Sequence, residues 1–276
     1  MKLIDFDGLF DEKLAQYMEE NKTKYTEKQW EDVIPRLYKK FGDTYVAKIK
    51  CTPKEYYAKM TDEELAQTLS AHLQEDIPVP EFLCTEIENR GSVEPLLPLL
   101  SSDEAQAVSY AINLIGVNEK AFDAYFDILL NNRLDEEIRS DIADIFKTVA
   151  DSVKDRALQA YKAGLGKEYM LEILSKVSAR DEEVYQLLLM AFLTDAERVP
   201  MHASYLASYG DSRALEPLLK AISDENIGFI EFQELKYAIE ALGGEYNEPR
   251  DFSADSDYLA IEAAVSKTDA GDLLKN

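Results

Sequence analysis

A pair of adjacent amphipathic segments occurs twice in this chain, and that repetition limits its fold more than any single motif does. In the later copy, Ala214, Leu215, Leu218, Leu219 and Ile222 recur at helical spacing and make one apolar stripe. Asp211 or Ser212 stands where a side-chain oxygen can accept a free backbone N–H at the helix start. Pro217 falls in the first turns, where a missing N–H costs least. After an acidic loop, Phe232, Leu235, Ile239 and Leu242 line a second helix, which Gly243 and Gly244 end. The earlier copy repeats the wording. Val93-Glu94-Pro95-Leu96-Leu97 matches Leu215-Glu216-Pro217-Leu218-Leu219 at an offset of 122 residues. Tyr110-Ala111-Ile112 and Gly116 match Tyr237-Ala238-Ile239 and Gly243 at an offset of 127, so the later copy carries five extra residues between its helices. Self-similarity of this kind is the mark of stacked repeats.

The stretch Gly-Asp-Ser-Arg-Ala-Leu-Glu-Pro-Leu-Leu-Lys-Ala-Ile at 210–222, followed by Ala-Ile-Glu-Ala-Leu-Gly at 238–243, resembles the HEAT-like repeat of the phycobilisome-lyase type. The resemblance is clearest at 210–244 and weaker at 93–116, and it does not extend before about residue 80. It implies an all-α, right-handed superhelix of helical hairpins. An offset of 122 residues accommodates three repeats of about 41 residues or four of about 30, both usual for solenoids. Eight amphipathic segments between the echoes favour four short repeats.

The rest of the chain reads as helices. Residues 11–23 carry Leu14, Tyr17 and Met18 on one face, and residues 26–41 carry Trp30, Val33, Ile34, Leu37, Tyr38 and Phe41. Thr26 with Gln29, and Thr61 with Glu64, have capping-box spacing. Pro35 falls inside the second helix, and residues 44–50 read as a short segment that could be extended. Ile77-Pro78-Val79-Pro80 holds the backbone extended and is the best internal boundary. Three parts follow: a helical N-terminal segment at 1–77, HEAT-like repeats at 78–250, and a capping helix with a tail at 251–276. In the last part, Tyr258, Leu259, Ile261 and Val265 form a stripe suited to covering the open end of a stack, and the residues from Lys267 read as a frayed tail.

Charge narrows the partner class. The net charge is −24 over 276 residues, and residues 1–60 hold 12 Lys/Arg against 11 Asp/Glu, so the deficit lies in the remainder. Such a field repels phosphate backbones and anionic lipid, which argues against nucleic-acid and membrane binding; the acidity itself reads first as a solubility device, with a preference for basic partners as the sharper reading. No secretory leader is evident, and the longest uncharged run, Ala105 to Asn118, is too short to span a bilayer. Cys51 and Cys84 lack metal or redox spacing and read as reduced thiols in a cytoplasmic protein.

Nothing in the sequence converges on catalysis. Asp224 to Glu234 resembles half of a calcium-binding EF-hand loop, but Gly228 falls at the fifth position instead of the sixth and Glu234 at the eleventh instead of the twelfth. It reads as an acidic inter-helix loop. His72 and His202 are the two histidines, far apart in the chain and without ligand spacing. Asp135-Glu136-Glu137 and Asp181-Glu182-Glu183 fall in helix first turns, where negative charge favours the helix dipole. Tyrosine is abundant: Tyr161, Tyr169, Tyr185, Tyr205, Tyr209 and Tyr237 recur through the repeat region, where most fill the core with hydroxyls reaching the surface and any that line the concave face are candidate partner-binding residues.

The expectation is therefore a protein–protein interaction scaffold that binds a protein or basic peptide on the concave face of the stack, with no cofactor, metal site or catalysis. The family resemblance also implies an alternative, a lyase-type enzyme acting on a bound tetrapyrrole. A DNA-base glycosylase would need a basic groove, which this composition does not offer. A third expectation is that Lys22, Lys24, Lys28, Lys39 and Lys40 dock the N-terminal segment onto the acidic half of another copy, which leaves the oligomeric state open.

Overall fold

The computed structural model describes the backbone of residues 3–272 and side chains as far as residue 264. Among these residues the chain is all-α. Its nearest approach to a strand is an isolated antiparallel bridge between Val46 and Cys51, within a run of turns at 44–50 that the sequence allowed to be extended. It divides into two compact units, Met1–Ile142 and Ala143–Asn276.

The first unit contains α1 (Phe6–Glu20), α2 (Glu27–Phe41), α3 (Pro53–Ala58), α4 (Asp62–Gln74), α5 (Glu81–Arg90), a 3₁₀ helix (Glu94–Ser101), α6 (Ala105–Ile115), a 3₁₀ turn (Glu119–Ala121) and α7 (Phe122–Leu130). Local chemistry sets the starts. Thr26, Thr52 and Thr61 each accept the backbone N–H three residues on, and the side chains of Gln29, Glu55 and Glu64 close the box. The core is built from apolar positions one helical turn apart: Leu65 and Leu69 of α4, Leu83 and Ile87 of α5, and Val108, Ala111 and Ile112 of α6 are all buried. Burying each leucine stabilises by about 1.5–3 kcal/mol.

The second unit contains α9 (Ala150–Lys162), α10 (Lys167–Leu174), α11 (Glu182–Thr194), α12 (Val199–Tyr209), a 3₁₀ turn (Ser212–Ala214), α13 (Leu215–Ile222), α14 (Phe229–Ala241) and α15 (Ser256–Asp272). Between the units' other helices, α8 (Glu136–Thr148) runs through the point of division. Within the second unit, α9 packs on α10, α11 on α12, and α14 on both α12 and α13. Elements close in sequence therefore bury one another's apolar faces. In α15, Tyr258 meets the Phe229 ring edge-on at 5.1 Å, while Leu259 and Ile261 are exposed. That helix continues through Asp272, beyond the frayed start expected at Lys267; residues 273–276 and the Val265 side chain lie outside the described residues.

The two echoed hairpins differ in one instructive way. The later copy forms α13 and α14, but the first half of the earlier copy is a 3₁₀ helix. Pro98 explains the difference. At the matching position the later copy has Lys220, which keeps the backbone N–H that Pro98 lacks. The glycines that end the copies, Gly116 and Gly243, both adopt positive φ, at 56° and 82°.

Arginines tie helix ends together at a recurring separation. In the first unit, Arg90 donates to the Met60 carbonyl at 2.6 Å and the Ala58 carbonyl at 3.1 Å, 30 and 32 residues away. Arg133 donates to the Ser102 carbonyl, 31 residues away. In the second unit, Arg180 donates to the carbonyls of Tyr209 and Gly210, at separations of 29 and 30, and Arg250 donates to that of Ile222, at 28. The last carbonyls of a helix have no intrahelical partner, and a guanidinium satisfies them while answering the negative end of the helix dipole. The separations fall between 28 and 32 residues, reaching upstream for Arg90, Arg133 and Arg250 and downstream for Arg180.

Candidate functional site

An open groove of about 1350 Å³ lies in the first unit. Five helices contribute to it. Asp7, Phe10 and Asp11 come from α1, Ile34 and Tyr38 from α2, Lys54 and Glu55 from α3, Phe82, Cys84 and Glu86 from α5, and Tyr110 from α6. Its floor is aromatic. Tyr38 stacks on Phe82 with ring centroids 4.7 Å apart and planes 7° from parallel, and Phe10 meets Tyr38 edge-on at 4.9 Å. The Tyr38 hydroxyl donates to Asp7 Oδ1 at 2.6 Å, which fixes both side chains. Burial, reinforced by that bond, pushes the Tyr38 phenol well above its usual range, so it stays protonated and remains a donor.

The rim is acidic. Asp7, Asp11, Glu55, Glu81 and Glu86 face the groove against Lys39 and Lys54. Arg90 fixes Glu86 through an Nε–Oε1 bond of 2.8 Å, and Asp43 engages Lys54 at 2.7 Å. Asp11 and Glu81 stand exposed. Cys84 contributes no reactive thiolate: burial pushes its thiol up to about 11, so it is protonated at neutral pH. An aromatic floor with a net negative rim can hold apolar side chains while attracting cationic ones; it shows no activated nucleophile.

The six tyrosines singled out in the sequence all lie in the second unit, and they do not share one environment. Tyr185 and Tyr209 are buried, Tyr161, Tyr169 and Tyr205 are half-buried, and Tyr237 is 60% exposed. Tyr209 is tied to the start of α11: its hydroxyl accepts from the Asp181 N–H at 2.7 Å and donates to the Asp181 carbonyl at 3.0 Å. Arg213 lies 4.0 Å over the Tyr185 ring, and Arg180 lies 5.2 Å over that of Tyr209. Tyr161 and Tyr205 both feel the Glu168 carboxylate, although burial is the main reason their phenols are raised.

Sequence spacing does not mark the groove residues as a site, because they come from α1, α2, α3, α5 and α6 with no fixed interval. One signal did point there. Tyr110 lines the groove, and its repeat counterpart Tyr237 is the exposed member of the six. The same position of the repeated hairpin is thus a tyrosine in both copies, half-buried on the groove in the first and exposed in the second. Elsewhere, the acidic loop before α14 is local: Asp224 accepts from the Asn226 N–H at 2.9 Å. Asp181 caps α11, accepting from Glu183 and Val184. Both cysteines are free thiols. Among the described residues, one group of metal-ligating side chains lies close together, Glu168, Asp195 and His202, in the second unit. No helix among them is long and apolar enough to cross a membrane. Neither a protein-family model nor a curated protein sequence matches the chain.

Proposed function

We propose that this chain is a HEAT-like helical-repeat protein that binds a basic, amphipathic protein segment in the groove of its first unit. The observation that carries the reading is the composition of that groove: Phe10, Tyr38, Phe82 and Tyr110 on the floor, Asp11 and Glu81 exposed on the rim. Aromatic side chains bury large area at low entropic cost and make good anchors for a partner's apolar face. The acidic rim steers and selects a cationic one. The repeat reading draws on the echoed hairpin, on glycines of positive φ at the same position of both copies, and on arginine bridges spaced near 30 residues.

Fluorescence anisotropy tests it with two labelled helical peptides of equal apolar pattern, one bearing Lys and Arg on its polar face, the other Glu and Asp. The basic peptide binds with micromolar affinity at low salt and weakens steeply as salt rises; the acidic one does not bind. Tyr110→Ala, and Asp11→Lys combined with Glu81→Lys, each weaken the basic peptide by about tenfold or more, a loss of about 1.4 kcal/mol, with unchanged circular dichroism. Equal binding of both peptides, or indifference to both sets of substitutions, refutes the proposal.

A further inference from the structure

We infer that Glu168, Asp195 and His202 form a binding site for a divalent transition-metal cation, with Zn²⁺ as the best fit. The three residues come from different places in the second unit: Glu168 from the first turn of α10, Asp195 from the residue that ends α11, and His202 from the first turn of α12. One ligand atom from each lies within 4.8 Å of the other two. His202 is 2% exposed, yet neither ring nitrogen has a hydrogen-bond partner. Glu168 Oε2 is also buried without a partner and stands 3.9 Å from His202 Nε2, beyond hydrogen-bond reach. A buried imidazole and a buried carboxylate oxygen that face each other unbonded are costly unless something joins them.

A cation supplies that join. Zinc bonds imidazole nitrogen at about 2.0–2.1 Å and carboxylate oxygen at about 2.0–2.2 Å, which puts tetrahedral ligands about 3.3 Å apart. The Glu168–His202 pair, at 3.9 Å, would close by about 0.6 Å to reach that geometry, and Asp195, within 4.8 Å of both, would swing inward to join them. One imidazole with two carboxylates suits zinc and neighbouring first-row ions better than Mg²⁺ or Ca²⁺, which favour all-oxygen shells. Two carboxylates bring charge to balance the ion. Arg198 engages the other oxygen of Glu168, Oε1, and so orients Oε2 toward His202. The Glu197 N–H donates to Asp195 Oδ1 at 3.2 Å and holds that side chain in the same way. The bound ion would staple α10 and α12 to the end of α11.

Equilibrium dialysis of the whole chain against Zn²⁺, in physiological salt with excess Mg²⁺ to occupy loose acidic sites, followed by metal analysis, is the test. His202→Gln disturbs a buried position and is not used alone. Asp195→Asn and Glu168→Gln keep size and local hydrogen bonding while removing a ligand charge. One zinc per chain with micromolar or tighter affinity, a melting temperature raised by several degrees, and at least a tenfold loss of affinity in both variants support the site. Absence of saturable uptake up to about 100 μM zinc, or parental affinity in either variant, overturns it.

Discussion

Arg90 shows how much one side chain can hold. Its guanidinium bonds the backbone carbonyls of Ala58, at the end of α3, and Met60, in the turn before α4, together with the Asp62 carboxylate at 2.9 Å and Glu86 on its own helix. Hydrogen bonds to a charged group contribute about 1.5–3 kcal/mol each when well shielded, and partial exposure lowers that here. Arg90→Ala is expected to destabilise the protein by about 2–3 kcal/mol in urea unfolding. Arg90→Lys recovers less than half of the loss, because one ammonium cannot reproduce a planar fork. Full recovery by lysine would show that charge alone matters. Residue-scale legibility in the sequence followed distance. The boxes at Thr26 and Thr61 are readable because both partners lie three residues apart. The bonds of Arg90 are not, because its carbonyl partners lie about thirty residues upstream and side-chain chemistry does not mark them. Glu168, Asp195 and His202 are hidden for the same reason.

At the scale of elements, apolar spacing marks α2, α13 and α14, because burial at a period of 3.6 residues both writes the pattern and stabilises the fold. It could not separate α from 3₁₀ helix at 94–101, where the stripe is intact and a proline inside the segment decides. The echoed hairpin ends supply a sharper test. Gly243 has φ of 82° and open space around an added Cβ, so Gly243→Ala brings left-handed strain and no clash. The expected loss is about 1 kcal/mol. Gly116 also has open space, but its φ of 56° with ψ of −137° lies where side-chain-bearing residues hardly go. Gly116→Ala is therefore expected to cost more, about 1–3 kcal/mol. Chemical denaturation of both variants checks the order. Equal small losses would mean that these ends relax freely and that the glycines are not required by the hairpin.

For the molecule as a whole, charge is the property most open to reading from sequence, whereas the groove emerges only when five helices meet. The charge makes a prediction with a definite sign. At neutral pH the chain carries −24, and its isoelectric point is near 4.4, so acidification from pH 7 first relieves self-repulsion. Glu231 acts in the same direction. Burial, then the Asp224 charge, raises its carboxyl above the usual range, so it opposes folding while ionised and stops doing so as pH falls. Other carboxylates act in the opposite sense at lower pH. Lys154 holds Asp181 below its usual range, Ser178 does so for Asp151, and Arg213 for Asp211. Depressed groups stabilise fully above their unfolded value of about 3.9 and lose that contribution as pH falls through the lower native value. The melting temperature should therefore rise from pH 7 to about pH 5 and drop steeply below about pH 4. Added salt should raise it at pH 7 and do little near pH 5, where the repulsion it screens is largely gone. Thermal unfolding by circular dichroism across that pH range, at two salt concentrations, reads both effects, and a melting temperature that falls steadily from pH 7 to pH 5 would show that repulsion among the acidic groups does not limit stability.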